Sequence, residues 1–158
     1  MIINGDMVQL AFYLISPSVE EILKADETTW GPKYVEGVLS APGLKEDFLF
    51  RFGEVPLTWD PKWGELPKKS FLDIAKGKLQ LAKREKENTS VTVLNKPWLV
   101  ADGEYLYAGA AFRDGITAAA SGAKGWVDEA ISSLFIDTVI MLAHLDADRR
   151  VANNQKQI

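Results

Sequence analysis

The segment from Ser70 to Lys86 constrains this chain most. Phe71, Ile74, Ala75, Lys78, Leu79 and Ala82 recur at helical spacing and form one mostly apolar stripe. Ser70 with Asp73 has the form of a helix cap, and Asn88 ends the run. An amphipathic helix with a single apolar side must lay that side on something. The flanking sequence offers strands: Tyr34–Ser40 and Phe48–Phe52 are joined across Ala41-Pro42-Gly43 in the manner of an antiparallel hairpin.

The rest of the chain extends the same pattern. Val8–Ile15 reads as an N-terminal strand, stopped by Ser16-Pro17-Ser18. Ser18 with Glu21 has capping-box spacing, so a first helix is expected from there to about Thr28. The three prolines, Trp59 and Trp63 between Gly53 and Pro67 predict an ordered surface loop. Ser90–Leu94 reads as a strand, and Trp98–Ala101 and Glu104–Phe112 flank Asp102-Gly103 as a second hairpin, because glycine tolerates positive φ in a tight turn. Ile116–Ala120 reads as a short strand. Trp126–Ala147 is a long helix, with Val127, Ile131, Leu134, Phe135, Thr138, Leu142 and Leu145 along one side. Hairpins outnumber other connections. The expected fold is therefore α+β, with a mainly antiparallel sheet of about five or six strands flanked by helices, a profilin-like sandwich. Residues 1–147 are expected to form one domain and residues 148–158 a polar tail.

Composition narrows the classes of function. With 158 residues and 47% hydrophobic content, the chain can bury a core without staples. It has no cysteine, which removes thiol nucleophiles, disulfides and cysteine-based zinc sites. One histidine, His144, excludes sites that need two. The net charge is −4, and basic residues alternate with acids, as in Lys83-Arg84-Glu85-Lys86-Glu87. That is a solvated helix face, and no nucleic-acid partner is expected. The apolar run Met7–Ile15 is too short to span a bilayer and lacks the basic flank of a leader, so no membrane association and a cytoplasmic location are expected.

Several short motifs resemble the GlcG/HbpS family, the haem-degrading domain also found at the C-terminal end of PduO-type adenosyltransferases. They are the helix Ser70 to Leu79, Thr89-Ser90 after it, the Asp102-Gly103 turn, and Ser121-Gly122 followed by Asp128-Glu129-Ala130. The resemblance spans residues 18 to 145. The chain departs from the family pattern at Asn95-Lys96-Pro97-Trp98, and its expected first helix carries no histidine. The resemblance implies a small-molecule ligand, haem or a related tetrapyrrole, in an apolar groove between helix and sheet, with Lys96 or Arg113 meeting its carboxylates.

Each candidate residue also has an alternative reading. Ser121 and Gly122 open the last helix, where backbone N–H groups can face a ligand, but Asp128 and Glu129 already supply negative charge there. His144, one turn after Met141, has the chemistry of a lone axial iron ligand, or is a surface residue near a helix C-terminus. Tyr105 and Tyr107 share a strand face that either binds a planar ring or packs under a helix, with Arg113 beside it. Trp59, Asp60, Trp63 and Glu65 line a pocket or clamp the loop to the sheet. An enzyme of the same fold would draw on Glu54, Asp60, Tyr107 and Arg113 for acid–base work and substrate binding. A second apolar stripe on the last helix, including Trp126, Ala130, Ile140 and Met141, predicts a homo-oligomer, and a purely structural assembly subunit is a further alternative.

Overall fold

In the computed structural model, residues 1–25 and 31–153 are described. Helix α1 spans Gly5–Lys24, followed by strands β1 (Tyr34–Ser40) and β2 (Phe48–Gly53). Helices α2 (Phe71–Glu85) and α3 (Thr89–Asn95) come next, then β3 (Ala110–Arg113), β4 (Ile116–Ser121) and the closing helix α4 (Gly125–Ala152). Among the described residues the sheet has four strands in the order β2-β1-β4-β3, every neighbour antiparallel. The α+β class holds, and the count of five or six strands does not.

Three segments read as strands, Val8–Ile15, Ser90–Leu94 and Trp98–Ala101, are helical or irregular. Val8–Ile15 lies inside α1. Asn4 caps that helix by accepting from the Met7 N–H at 3.0 Å, and Val8, Ala11, Ile15, Val19 and Leu23 are buried at three- and four-residue intervals. Pro17 interrupts neither the helix nor its buried stripe, and Ser16 Oγ donates to the Phe12 carbonyl at 2.6 Å. Ser18 and Glu21 are therefore mid-helix residues rather than a cap. The expected helix end near Thr28 lies outside the described residues. Ser90–Leu94 is not a strand but part of α3, which begins after Asn88.

Asp102-Gly103 does turn the chain, with Gly103 at φ +82, but no strand flanks it. Trp98 lies in a 3-10 turn over Pro97–Leu99, and the chain stays irregular until Ala110. The true second hairpin turns at Asp114-Gly115. Both residues have positive φ (51° and 81°), and Arg113 pairs with Ile116 on either side. That is the conformation a two-residue type I′ turn requires.

Helices α1 and α4 cover one face of the sheet. Val35, Leu39, Phe50, Phe52, Ala118 and Ala120 meet Ile131, Phe135, Ile136 and Val139 there. Phe50 and Phe135 rings lie 5.0 Å apart, and Phe12 stacks on Phe52 at 4.9 Å. Each fully buried ring here contributes roughly 2–3 kcal/mol by leaving water. The buried side of α4 is rotated from expectation, so Leu134 and Leu145 face outward. The helix also runs on through the start of the expected tail, to Ala152. By length and composition alone α4 could cross a bilayer; here its apolar side packs against the sheet.

Helix α2 covers the other face. Ala75, Leu79 and Ala82 pack on Val38, Ala110 and Ala119. Strand alternation puts Glu36, Val38 and Ser40 on this side. Glu36 accepts from the Leu72 N–H at 3.0 Å, joining Ser70, which accepts from the Asp73 N–H at 3.1 Å, in capping α2. At the far edge, the Asn88 and Thr89 side chains accept from the Phe112, Gly109 and Ala110 N–H groups, so α3 closes the outer side of β3.

Candidate functional site

The start of α2, the Trp59 loop, the segment around Tyr105–Tyr107 and the β4–α4 turn enclose a cavity of about 360 Å³. Its walls are Trp59, Phe71, Ile74, Tyr105, Tyr107 and prolines 32 and 67, and Lys78 and Asp128 lie on its lining. Trp59 is held edge-on against Trp63 at 5.2 Å and Phe71 at 6.4 Å, and its indole N–H donates to the Gly64 carbonyl. Asp60 caps the adjoining 3-10 turn. The tryptophan loop therefore clamps onto α2 rather than onto the sheet.

The opposite wall depends on Gly77. A Cβ there would sit 2.5 Å from the Gly103 carbonyl and 2.7 Å from the Tyr105 ring, so the Asp102–Tyr105 segment lies directly on α2. Arg84 holds it down through both carboxylate oxygens of Glu104 and through the Leu99 carbonyl. This places Tyr105 and Tyr107 on the cavity, although neither is in a strand.

Lys78 leaves α2 on the sheet side and is 3% exposed. Its Nζ donates to the Ala120 carbonyl at 3.2 Å and to Asp128 Oδ2 at 3.3 Å. Gly109 makes room for it: a Cβ there would lie 2.5 Å from Nζ. Asp128 is 1% exposed and also accepts from the backbone N–H groups of Ala123, at 3.0 Å, and Gly122. Burial pushes the Asp128 carboxyl up to about 6, opposed by Lys78 and the two N–H groups. Burial also pushes the Lys78 amine down, opposed by Asp128. Beside them, Glu129 accepts from Ser90, and burial raises its carboxyl as well. Ser132 Oγ donates to the Gly109 carbonyl at 2.8 Å.

The structure brings three of the expected residues together. Ser121, Gly122 and Tyr107 line the cavity. The Gly122 and Ala123 N–H groups point at Asp128, so the chain's own carboxylate fills the anion position of this helix entrance. The other three lie elsewhere. Lys96 pairs with Glu87 at 2.8 Å. Arg113 is exposed and pairs with Asp137 on α4. His144 is exposed on α4 and lines no part of the cavity.

The cavity lining holds no His or Met, and the chain has no Cys. Those walls do not fit a haem ligated by histidine, and Lys96 and Arg113 are not placed to meet propionates in it. Among the described residues no three His, Cys, Asp or Glu side chains converge. Lys78 and Asp128 each have a local signature in the sequence. Lys78 is the single charge on the apolar stripe of α2, and Asp128 follows the glycine turn closely. No family model matches this chain, and neither a curated protein nor a solved structure is significantly similar to it.

Proposed function

We propose that this protein binds a small, flat, uncharged organic molecule in the cavity between α2 and the β4–α4 turn. The observation that carries this is the composition of the lining: aromatic and aliphatic walls around one internally neutralised Lys78–Asp128 pair. Ligand sites are concave and mostly apolar, with a few convergent polar groups, and 300–1,000 Å³ is about their usual size. An anion would meet no unmatched positive charge on the Lys78–Asp128 lining. A tetrapyrrole, implied by the family resemblance, would have to bind through its ring without histidine ligation. Haemin and metal-free protoporphyrin IX would then bind alike.

Isothermal titration with 2-naphthol, a neutral flat probe, tests the proposal. The expected dissociation constant is on the order of 0.1 mM for a ligand of this size. Ile74→Trp, which fills the cavity, is expected to weaken binding at least about tenfold, equivalent to about 1.4 kcal/mol. No saturable heat with the wild type, or equal affinity in the variant, overturns the proposal.

The outer face of α1 supports association with a second copy of the chain. Leu10, Tyr13 and Leu14 recur at helical spacing and are exposed, Tyr13 at 65%. An apolar stripe of this kind is usual at protein interfaces.

A further inference from the structure

We propose that Lys78 is a carbonyl-condensing amine, which captures an aromatic aldehyde or ketone in the cavity as a Schiff base. This rests on the cavity being a ligand site, and it names the ligand's reactive group.

Three observations converge on it. First, Lys78 lies with Asp128 and Ser121 on the lining of a cavity whose other described walls are mostly apolar and aromatic. Second, an ammonium has three N–H groups, and the described residues supply two acceptors, the Ala120 carbonyl and Asp128. One position is left for a ligand oxygen, and a carbonyl oxygen is an uncharged acceptor that suits it. Third, a proton acceptor is already in place, because Asp128 Oδ2 is 3.3 Å from Nζ. Gly109 lets Lys78 hold this position, because a Cβ there would lie 2.5 Å from Nζ.

Burial adds to this geometry. It favours the neutral amine, the form that attacks a carbonyl, and it favours a protonated Asp128, the form that returns the proton. The step balances without any other reagent. The ammonium passes one proton to Asp128, and the freed nitrogen pair bonds to the carbonyl carbon as the C=O π pair moves to oxygen. The oxygen takes the proton back from Asp128. A second nitrogen proton follows the same route, the C–O bond breaks, and water leaves. The third proton stays on the resulting iminium, and the Asp128 carboxylate is regenerated.

The test uses the intact wild-type protein. It is incubated at pH 7 with 2-naphthaldehyde and sodium cyanoborohydride, and the modified lysines are mapped by peptide mass spectrometry. Reductive trapping at Lys78 is expected to exceed the mean of the exposed lysines by at least about tenfold, since desolvation activates a lysine. Excess 2-naphthol should suppress labelling at Lys78 and leave the exposed lysines unchanged. Labelling confined to exposed lysines overturns the proposal. If 2-naphthol still binds in that case, the cavity reading stands and Lys78–Asp128 is a structural ion pair. If it does not bind, both readings fail. Asp128→Asn keeps the amine and removes the relay, so trapping at Lys78, measured at equal occupancy of the cavity by the aldehyde, should fall several-fold. An unchanged trapping rate overturns the relay.

Discussion

Replacing Lys78 by methionine removes one charge of a buried pair and keeps most of the side-chain volume. Two unit charges 3.3 Å apart attract by about 5 kcal/mol at an effective dielectric constant of about 20. The variant forfeits that attraction and leaves Asp128 with two backbone N–H groups. Asp128 limits the loss by taking up a proton, so the net destabilisation at pH 7 should be about 3 kcal/mol, within the range for a broken buried pair. The pH dependence follows from the direction of the shift. A folded-state carboxyl raised from 3.8 to about 6 means that the folded chain binds more protons across that interval. Its contribution is therefore favourable below 3.8 and is lost as pH rises through about 6, roughly 3 kcal/mol in all. Lys78→Met pushes the carboxyl further up, so lowering the pH from 7 to 5 rescues the variant more than the wild type. The deficit should shrink by about 1 kcal/mol at pH 5. Urea unfolding followed by circular dichroism at both pH values measures this. The double variant Lys78→Met/Asp128→Asn should return to within about 1–2 kcal/mol of wild type, because an absent buried pair costs less than half of one. A deficit below about 1 kcal/mol at pH 7, or one that fails to shrink at pH 5, would refute the reasoning.

Pro17 lies inside α1 on its exposed side, where it removes one backbone hydrogen bond. Pro17→Ala should raise stability by about 1–3 kcal/mol and increase helical ellipticity; a loss of stability would return the segment to a non-helical reading. Tyr13→Glu with Leu14→Glu leaves the buried stripe of α1 intact and charges its outer face. Size-exclusion chromatography with light scattering should show an oligomer for the wild type and a monomer for this variant, and a wild-type monomer would count against the self-association proposal.

The elements legible from sequence are those whose period is unambiguous. Helix α2 is legible from its single stripe and its Ser70 cap, and the structure has both. The β1–β2 hairpin was legible from two short apolar runs across a turn. Helix α1 was not, because Leu10, Tyr13 and Leu14 are apolar on its outer side while Val8, Ala11 and Ile15 are apolar on its inner side. A segment apolar all round has no visible period, and Pro17 reinforced the wrong boundary. The two Asp-Gly pairs pose a different problem. Both turn the chain, but only 114–115 is followed by residues that can pair with β1 inside the sheet.

The candidate site divides in the same way. Ser121-Gly122 and its nearby Asp128 were visible as a helix entrance already supplied with its own negative charge, because a glycine turn and a close acid are local features. Tyr107 stands out in the sequence for its aromatic ring, yet what places it on the cavity is Arg84 gripping Glu104 from a helix twenty residues earlier. Lys96, Arg113 and His144 had suitable chemistry and were drawn elsewhere by Glu87, Asp137 and the outward side of α4. Local sequence determined the stripe and Ser70 cap of α2, the turn between β1 and β2, and which residues bear charge. Only the tertiary structure decided that Lys78 and Asp128, fifty residues apart, share one desolvated position. Burial strength and charge pairing depend on which surfaces the folded layers bring together, and no local pattern encodes that.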